Sequence, residues 1–299
     1  MTSGTGTVVT RYGAELLVMD SQGGTHRCRS RRRLEHLVCG DRVRFELRDG
    51  ACVVTEVLPR DNALTRTDAR GRPRVIAANI DQVVVVTACL PPPNWGMVDR
   101  YLVAAENLPA GALVLLNKID LSGPDRTDCA RLAVYDRIGY PTLATSTLSG
   151  QGLDRLRTRL QGHTSIFVGQ SGVGKSSLIK ALLPQLDIRI GELSQAHGTG
   201  RHTTTRTMLY LLPEGGRLID SPGVRDFEPP RFSVRELERG FVEFAPYLGH
   251  CRYPDCTHTV EPGCAVVAAA EAGEIDPERL RSYQRLAHQA LSAGHRRRM

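Results

Sequence analysis

The N-terminal part of the chain alternates between apolar and polar positions, which is the period of a half-buried β-strand. Residues 41–48 alternate strictly, with apolar side chains on one face and charged side chains on the other. An Asp-Gly turn leads into a second β-prone run over residues 51–58, so the pair predicts a β-hairpin. With earlier apolar runs at residues 8–10 and 16–18, the pattern predicts four or five short strands that form a small barrel of the OB type.

A different pattern begins after residues 60–74, a polar, arginine-rich segment that we interpret as a linker or docking strip. Residues 79–87 form a continuous apolar run of the kind that a buried parallel strand shows. Residues 98–107 have helical spacing, and residues 112–116 form another buried strand. Strands that alternate with helices predict an α/β domain with a parallel sheet.

The last part of the chain is predicted to be helical. Ser233 and Glu236 form a capping box that opens a helix to about Tyr247. A final helix begins at Asp276-Pro277 and ends near Ala290. The changes of pattern predict three domains, with bounds at residues 1–70, 71–230 and 231–299.

The phosphate-binding pattern G-x-x-x-x-G-K-[ST] occurs between a β-prone run at residues 164–168 and an apolar helical pattern. Glycines let backbone N–H groups surround phosphate oxygens, Lys175 supplies a positive charge, and Ser176 can offer its hydroxyl to Mg²⁺. The position before a helix N-terminus also favours anions. The residues expected to contact a nucleotide here are Gly169, Gln170, Ser171, Gly172, Val173, Gly174, Lys175, Ser176 and Ser177.

A second motif, N-K-x-D, follows the buried strand at residues 112–116 and consists of Asn117, Lys118, Ile119 and Asp120. The Asp carboxylate can accept two hydrogen bonds from N1–H and the exocyclic amine of guanine, a pair that adenine does not present. The lysine stem can cover the base plane, and the asparagine can brace neighbouring loops. Ser146 lies in a polar turn that we expect to support the base.

Two segments after the phosphate loop are expected to sense the γ-phosphate. Residues 200–206 are rich in threonine, and Thr204 or Thr205 could ligate Mg²⁺, although the pattern does not choose between them and Thr203. The second segment fits D-x-x-G, in which Asp220 could hold Mg²⁺ through water and the N–H of Gly223 could meet the γ-phosphate.

The residue after this glycine is Val224, where many GTPases place a glutamine that orients the attacking water. We therefore expect slow hydrolysis by the chain alone, or a contribution from another group. His202 is the candidate for that group, and the alternative is that it is an ordinary loop residue. Lys175 and Asp220 complete the expected catalytic set.

Four potential metal ligands crowd together near the C-terminus: Cys251, Cys256, His258 and Cys264. Three thiolates and one imidazole suit a closed tetrahedral site for one structural Zn²⁺. The spacing is not that of a standard zinc finger, and the alternative is a chance cluster. The remaining cysteines are dispersed, so we expect core or surface thiols at Cys28, Cys39, Cys52, Cys89 and Cys129.

Charge and hydropathy narrow the class of partner. The net charge of +7 favours a polyanion, and we expect a dense basic loop in the barrel to contact RNA phosphates rather than to be a solvated charge run. This loop contains Arg27, Arg29, Arg31, Arg32 and Arg33. The chain has no apolar run long enough to span a bilayer and no signal-peptide pattern at its start, so we expect a cytoplasmic protein that contacts no membrane.

The order of the motifs is unusual, because N-K-x-D precedes the phosphate loop. A circular permutation explains this order without changing the site. With its barrel, its permuted motifs and its C-terminal metal ligands, nearly the whole chain resembles the circularly permuted GTPase family of the ribosome small-subunit-dependent GTPase A (RsgA, also called YjeQ). The family also has a functional histidine just before the threonine run, which matches His202.

The resemblance implies a fold and a function. The fold is an α/β P-loop GTPase domain, circularly permuted, with an N-terminal β-barrel of the OB type and a C-terminal helical zinc-binding domain. The function is late maturation of the small (30S) ribosomal subunit, with GTP hydrolysis stimulated by that subunit and with the barrel and zinc domain on its 16S ribosomal RNA. The implied cofactors are GTP or GDP, Mg²⁺ and one structural Zn²⁺, and we expect a monomer.

Three alternatives remain open from the sequence. The first is another RNA-directed GTPase, which would share every motif and differ only in its target. The second is a P-loop ATPase, against which Asp120 argues. The third is a non-catalytic RNA-binding protein whose nucleotide site only switches conformation, a possibility that Val224 leaves open.

Overall fold

A computed structural model describes residues 2–31, 34, 36–48, 50–67, 72–123, 127–184, 207–221 and 232–296. The strands in these ranges are β1 (Thr2–Tyr12), β2 (Glu15–Asp20), β3 (Thr25–Ser30), β4 (Arg42–Arg48), β5 (Ala51–Val57), β6 (Ala63–Thr67), β7 (Pro73–Ala78), β8 (Gln82–Ala88), β9 (Gly111–Asn117), β10 (Thr142–Ala144), β11 (Thr164–Val168), β12 (Met208–Leu211) and β13 (Arg217–Asp220). The α-helices are α1 (Trp95–Asn107), α2 (Thr127–Ile138), α3 (Leu153–Leu160), α4 (Lys175–Leu182), α5 (Val234–Gly240), α6 (Ala265–Glu271) and α7 (Pro277–Arg296).

The first five strands form a closed barrel. Neighbouring strands follow the order β1-β2-β3-β5-β4, and β4 pairs back with β1. The alternation seen in the sequence is reproduced in the burial, since Val43 and Phe45 are 0% and 3% exposed while Arg44 between them is exposed. The barrel predicted from the sequence is therefore confirmed.

The prediction that Cys28 and Cys52 are free thiols is wrong. Parallel pairing of β3 with β5 places these two residues opposite each other, and they form a disulfide inside the barrel. The pairing joins residues 24 positions apart, so it depends on the register of two strands that are not neighbours in sequence. No local pattern could have indicated it. Cys39, Cys89 and Cys129 are free, as expected.

The α/β domain is built on strands in the order β10-β9-β8-β11-β13-β12. The neighbouring strands β10, β9, β8, β11 and β13 all pair in parallel, and β12 at the end of this order runs antiparallel to β13. The two central apolar runs predicted from the sequence are β8 and β9, each buried over six consecutive residues because helices cover both faces. Parallel strands place their carboxyl ends at one edge, which is where α/β proteins bind ligands.

The barrel and the α/β domain share one 11-stranded sheet, because β1 pairs antiparallel with β12 through Thr10 and Met208. The segment interpreted as a linker is more ordered than expected, since it contains β6 and the start of β7, and these two strands pair antiparallel. Two asparagines fasten the base of this hairpin: Asn62 accepts from and donates to the backbone of Ile80, and Asn79 donates to the carbonyl of Gly40.

The C-terminal domain packs its helices around Phe241, Phe244 and Tyr283, which are fully buried and in ring contact. The predicted capping box is present at Ser233, but α5 ends at Gly240 and a 3₁₀ helix, Val242–Tyr247, follows. Among the helices that the structure describes, none combines the length and apolar character needed to cross a membrane.

A buried ion cluster joins this domain to α1. Arg279 of α7 is 0% exposed and donates to Asp99 of α1 and to Glu243 at 2.6 Å each. Tyr135 donates its hydroxyl to the same Asp99 oxygen at 2.7 Å. Burial acts to lower the pKa of Arg279, but its two carboxylate partners hold that pKa well above its ordinary value. The guanidinium is therefore charged, paired and part of the interface between the two domains.

Candidate nucleotide and metal sites

The phosphate-binding loop connects β11 to α4, as the sequence pattern predicts. Its first and last glycines have positive φ angles of 145° for Gly169 and 95° for Gly174. A Cβ on Gly169 would lie 2.0 Å from the carbonyl oxygen of Val86, and a Cβ on Gly174 would lie 2.4 Å from Nδ2 of Asn117. Both positions therefore require glycine, for conformation and for space.

Lys175 begins α4 with its side chain turned back over the loop. Its Nζ donates to the carbonyls of Gly169 and Gln170 at 2.6 and 2.8 Å, and the residue is only 6% exposed. Ser176 and Ser177 are exposed at the start of the helix. The ammonium of Lys175 and the N-terminal end of the α4 dipole thus bring positive charge to the same loop.

Asn117 joins the two motifs that are far apart in sequence. It ends β9 fully buried, and its Nδ2 donates to the carbonyl of Val173 in the phosphate loop at 3.0 Å. Its Oδ1 accepts a hydrogen bond from the hydroxyl of Thr145 at 3.1 Å. The bracing role predicted for this asparagine thus corresponds to two buried hydrogen bonds between three loops.

The next residues of the motif face the same edge. Lys118 has a left-handed backbone conformation, and its Nζ donates to the carbonyls of Leu90 and Gly172 at 2.7 Å each. Asp120 follows in a short 3₁₀ helix and is exposed. Its carboxylate is therefore accessible to a ligand beside the phosphate loop.

Ser146 lies directly beside this motif. It is buried, and its hydroxyl accepts hydrogen bonds from the N–H groups of Leu148 and Ser149 at 3.2 and 3.1 Å. The preceding residue, Thr145, accepts from the N–H of Ile119 at 3.2 Å. The hydroxyl of Ser146 therefore shapes the turn itself, and the turn is held against N-K-x-D.

Asp220 ends β13, whose residues pair in parallel with β11 just before the phosphate loop. It is 4% exposed and pairs across the sheet with Met208. The following residue, Ser221, has its hydroxyl 2.7 Å from that of Thr207. The other expected switch residues lie outside the described residues, namely His202, Thr203, Thr204, Thr205, Gly223 and Val224.

The site includes a segment that the sequence reasoning missed. Leu90 supplies a carbonyl to Lys118, and the side chain of Pro91 lies 3.5 Å from the position a Cβ on Gly172 would take. This segment follows β8, which lies between β9 and β11. The strand order would have indicated it, because the carboxyl end of β8 must lie between the ends of its two neighbours.

The donor set fits a nucleotide with Mg²⁺. The glycine cradle leaves space that a side chain would fill, and Lys175 and the start of α4 provide positive potential on one side of it. On the Mg²⁺ side, the hydroxyl of Ser176 and the carboxylate of Asp220 are oxygen ligands of the type this ion prefers. Asp120 is not one of these phosphate and Mg²⁺ donors, because it belongs to the N-K-x-D motif.

The candidate zinc ligands converge in the C-terminal domain. One ligand atom from each of Cys251, Cys256, His258 and Cys264 lies within 4.8 Å of all the others. Nδ1 of His258 lies 3.5 Å from Sγ of Cys251 and 3.3 Å from Sγ of Cys264. Its Nε2 lies 3.5 Å from a carboxylate oxygen of Glu238, the outer partner that metal-bound imidazoles commonly have.

The loop that carries His258 is held by Glu261. The carboxylate accepts hydrogen bonds from the N–H and hydroxyl of Thr257 and from the N–H groups of Thr259 and Val260. Although burial acts to raise the pKa of Glu261, these hydrogen bonds lower it to about 2. Burial also raises the pKa of the Cys256 thiol to about 12, so a divalent cation is the natural means of stabilising thiolates here. The four residues fit a structural Zn²⁺.

Comparison with known proteins extends over almost the whole chain. Residues 57–230 match the sequence model of a family described as RsgA GTPase. The small ribosomal subunit biogenesis GTPase RsgA of Pseudomonas aeruginosa (strain LESB58) is 46% identical over 286 residues, which are 94% of this chain and 84% of that protein. The protein of the same name from Azotobacter vinelandii is 45% identical over 288 residues, with the same coverage.

Solved structures agree with the sequence comparison. YjeQ from Thermotoga maritima superimposes with a TM-score of 0.81 and 31% identity, over 97% of this chain and 99% of that chain. YloQ, described as a circularly permuted GTPase, superimposes with a TM-score of 0.78 and 26% identity, over 98% of this chain and 96% of that chain. The similarity includes the barrel and the C-terminal domain as well as the α/β domain.

Proposed function

The chain belongs to the RsgA GTPase family, and we propose that it is a GTP hydrolase that acts in late maturation of the small ribosomal subunit. The observation that carries the proposal is the bond from Asn117 to the phosphate loop, which fixes a guanine-type motif against a phosphate-type motif. Because the two motifs come from strands in permuted order, their meeting at one edge supports the proposal of a nucleotide site over that of two accidental patterns.

We assign the nucleotide contacts by chemistry. Asp120 pairs with the guanine edge and Lys118 covers the base, while the turn at Ser146 supports it. The backbone from Gly169 to Ser177 and the ammonium of Lys175 take the phosphates. Lys175 must exchange its bonds to the loop carbonyls for phosphate oxygens when a nucleotide binds.

We further propose that the hydroxyl of Ser176 and the carboxylate of Asp220 hold Mg²⁺, which would neutralise charge on the phosphates. Thr204 or Thr205 would complete the ion's ligands, and the N–H of Gly223 would contact the γ-phosphate. His202 would orient the attacking water in place of the glutamine that Val224 replaces. Slow turnover without a partner is expected from this arrangement.

The partner that we propose is the small ribosomal subunit, through its 16S ribosomal RNA. The named relatives are small-subunit biogenesis GTPases, and the barrel carries exposed arginines at positions 27, 29 and 31. One Zn²⁺ at the Cys₃His cluster would hold the C-terminal domain in shape. We propose a cytoplasmic monomer with domain bounds at residues 1–70, 71–230 and 231–299.

The test is hydrolysis of GTP and of ATP by the purified protein, alone and with purified small or large ribosomal subunits. GTP-selective turnover that small subunits stimulate and large subunits do not is the expected result. Lys175→Ala should remove turnover and leave binding to the subunit intact. Turnover that is slow and unaffected by small subunits would contradict the ribosomal target, and equal use of ATP would contradict the assignment of Asp120.

A further inference from the structure

The barrel meets the α/β domain next to the proposed Mg²⁺ ligand. Strand β1 has an irregularity in its pairing with β2 between Val8 and Thr10. Val8 is buried in the barrel core, and the next residue, Val9, is buried in the core of the α/β domain. The strand therefore changes from one hydrophobic core to the other within two residues.

Thr10 is the residue at which β1 reaches the second domain. It is 0% exposed, it pairs across the sheet with Met208, and its hydroxyl donates to the carbonyl of Thr207 at 2.9 Å. The contact spans 197 positions of sequence. It fixes the backbone just before β12 from the side of the barrel.

Residues 207 and 208 contact both Asp220 and the residue that follows it, Ser221. Met208 is the cross-strand partner of Asp220, and the hydroxyl of Thr207 lies 2.7 Å from that of Ser221. Asp220 is thus held through its own strand pairing and through the residue that follows it. Both contacts depend on the position of residues 207 and 208, which Thr10 sets.

We infer that Thr10 is a positioning residue for Asp220, through which the barrel contributes to the Mg²⁺ site of the other domain. The inference rests on the proposed function, because it takes Asp220 as a residue that holds Mg²⁺ through water. Mg²⁺ requires near-ideal octahedral geometry, so small displacements of a ligand weaken binding. A shift of about 1 Å in a supporting element can lower a rate by about a hundredfold. The Thr10 hydroxyl is suited to prevent such a shift because it is buried and has a single fixed acceptor.

The chain offers a matched control on the same strand. Thr7 is also buried in β1, at 9% exposure, but it pairs with Met19 and Arg42 inside the barrel. Thr7→Val and Thr10→Val make the same change of hydroxyl to methyl at similar burial. Only Thr10→Val removes the bond to the α/β domain, and Thr10→Ser keeps that hydroxyl.

The first measurement is the dissociation rate of a fluorescent GDP from the full-length protein as Mg²⁺ is varied. Loss of one buried hydrogen bond should raise the Mg²⁺ concentration for half-maximal retention by about threefold to tenfold in Thr10→Val. Thr7→Val and Thr10→Ser should match the wild type. Ser221→Ala should raise this Mg²⁺ concentration by about the same factor as Thr10→Val. The double variant Thr10→Val/Ser221→Ala should raise it by less than the product of the two factors, because both changes act through Thr207.

The second measurement needs no nucleotide. Amide hydrogen exchange over residues 207–221 should be about threefold to tenfold faster in Thr10→Val than in Thr7→Val, with thermal unfolding midpoints no more than about 4 °C apart. If neither the Mg²⁺ dependence nor the exchange separates Thr10→Val from Thr7→Val, the positioning role is wrong. If wild-type protein fails to bind guanine nucleotides, the proposed function fails instead, and the exchange comparison still decides whether Thr10 holds this segment.

Discussion

Replacement of Asn117 by alanine is the change that should damage the nucleotide site most directly from outside the phosphate loop. The side chain is 0% exposed and makes two buried hydrogen bonds, one to the carbonyl of Val173 and one from the hydroxyl of Thr145. Both partners are buried too, at 1% and 0% exposure. Asn117→Ala therefore leaves one buried acceptor and one buried hydroxyl without this partner.

The expected cost follows from those two groups. A buried polar group that loses its partner costs about 1–3 kcal/mol, and entry of water into the space left behind offsets part of this. We expect Asn117→Ala to lower the free energy of unfolding by about 3 kcal/mol, measured by urea denaturation. Because Val173 belongs to the phosphate loop, the affinity for GDP should fall at least about tenfold, which is about 1.4 kcal/mol by calorimetry.

Asn107→Ala is the matched control. Asn107 also makes two hydrogen bonds, but both are donated by its Nδ2, to the carbonyls of Val103 and Glu236 at 2.8 and 2.9 Å, at the interface between α1 and α5. This variant should lose about 1–2 kcal/mol of stability and bind GDP as the wild type does. Asn117 does not brace the phosphate loop if Asn117→Ala stays within about 0.5 kcal/mol of wild type, or if the two variants bind GDP equally well.

Three further changes test the other parts of the proposal. Asp120→Ala should reduce the preference for GTP over ATP in competition binding without changing the urea midpoint, because the side chain is exposed; an unchanged preference would contradict its role. Arg279→Ala should lower the free energy of unfolding by about 3–5 kcal/mol, since two carboxylates lose their buried partner, and the exposed Arg281→Ala should cost less than about 0.5 kcal/mol. Cys264→Ser should lower the zinc content from one ion per chain towards zero in metal analysis and destabilise the C-terminal domain, whereas Cys129→Ser should retain full zinc; equal zinc contents would exclude the cluster as the site.

The sequence was informative wherever a short motif sits in a regular element. The alternation at residues 41–48 predicts the buried face of β4, and the glycine spacing of the phosphate loop matches positions where a Cβ would clash. The positions of Asn117 and Asp220 were also predictable, since each ends a buried strand of the sheet. In these cases the local pattern and the tertiary structure require the same residues.

The features that sequence reasoning missed depend on long-range register. The disulfide between Cys28 and Cys52 needs the parallel pairing of β3 with β5, and the bond from Thr10 needs a pairing across 197 positions. The segment at residues 60–74 was interpreted as a linker because it is polar and rich in arginine, although it contains β6 and the start of β7. Tertiary contacts at Asn62 and Asn79 order this segment, and no local pattern reports them.

The pairing of β1 with β12 changes how the permuted order should be understood. The barrel precedes the α/β domain in sequence, yet its β1 contacts a strand near the far end of that domain. An uncovered edge strand presents unpaired backbone groups to other chains, and β1 supplies the partner for β12 at this edge. The same strand that carries Val8 into the barrel core therefore closes the sheet beside Asp220. A ligand that shifts the barrel must either break this pairing or carry residues 207 and 208 with it, so the barrel cannot move independently of the strand that pairs with Asp220.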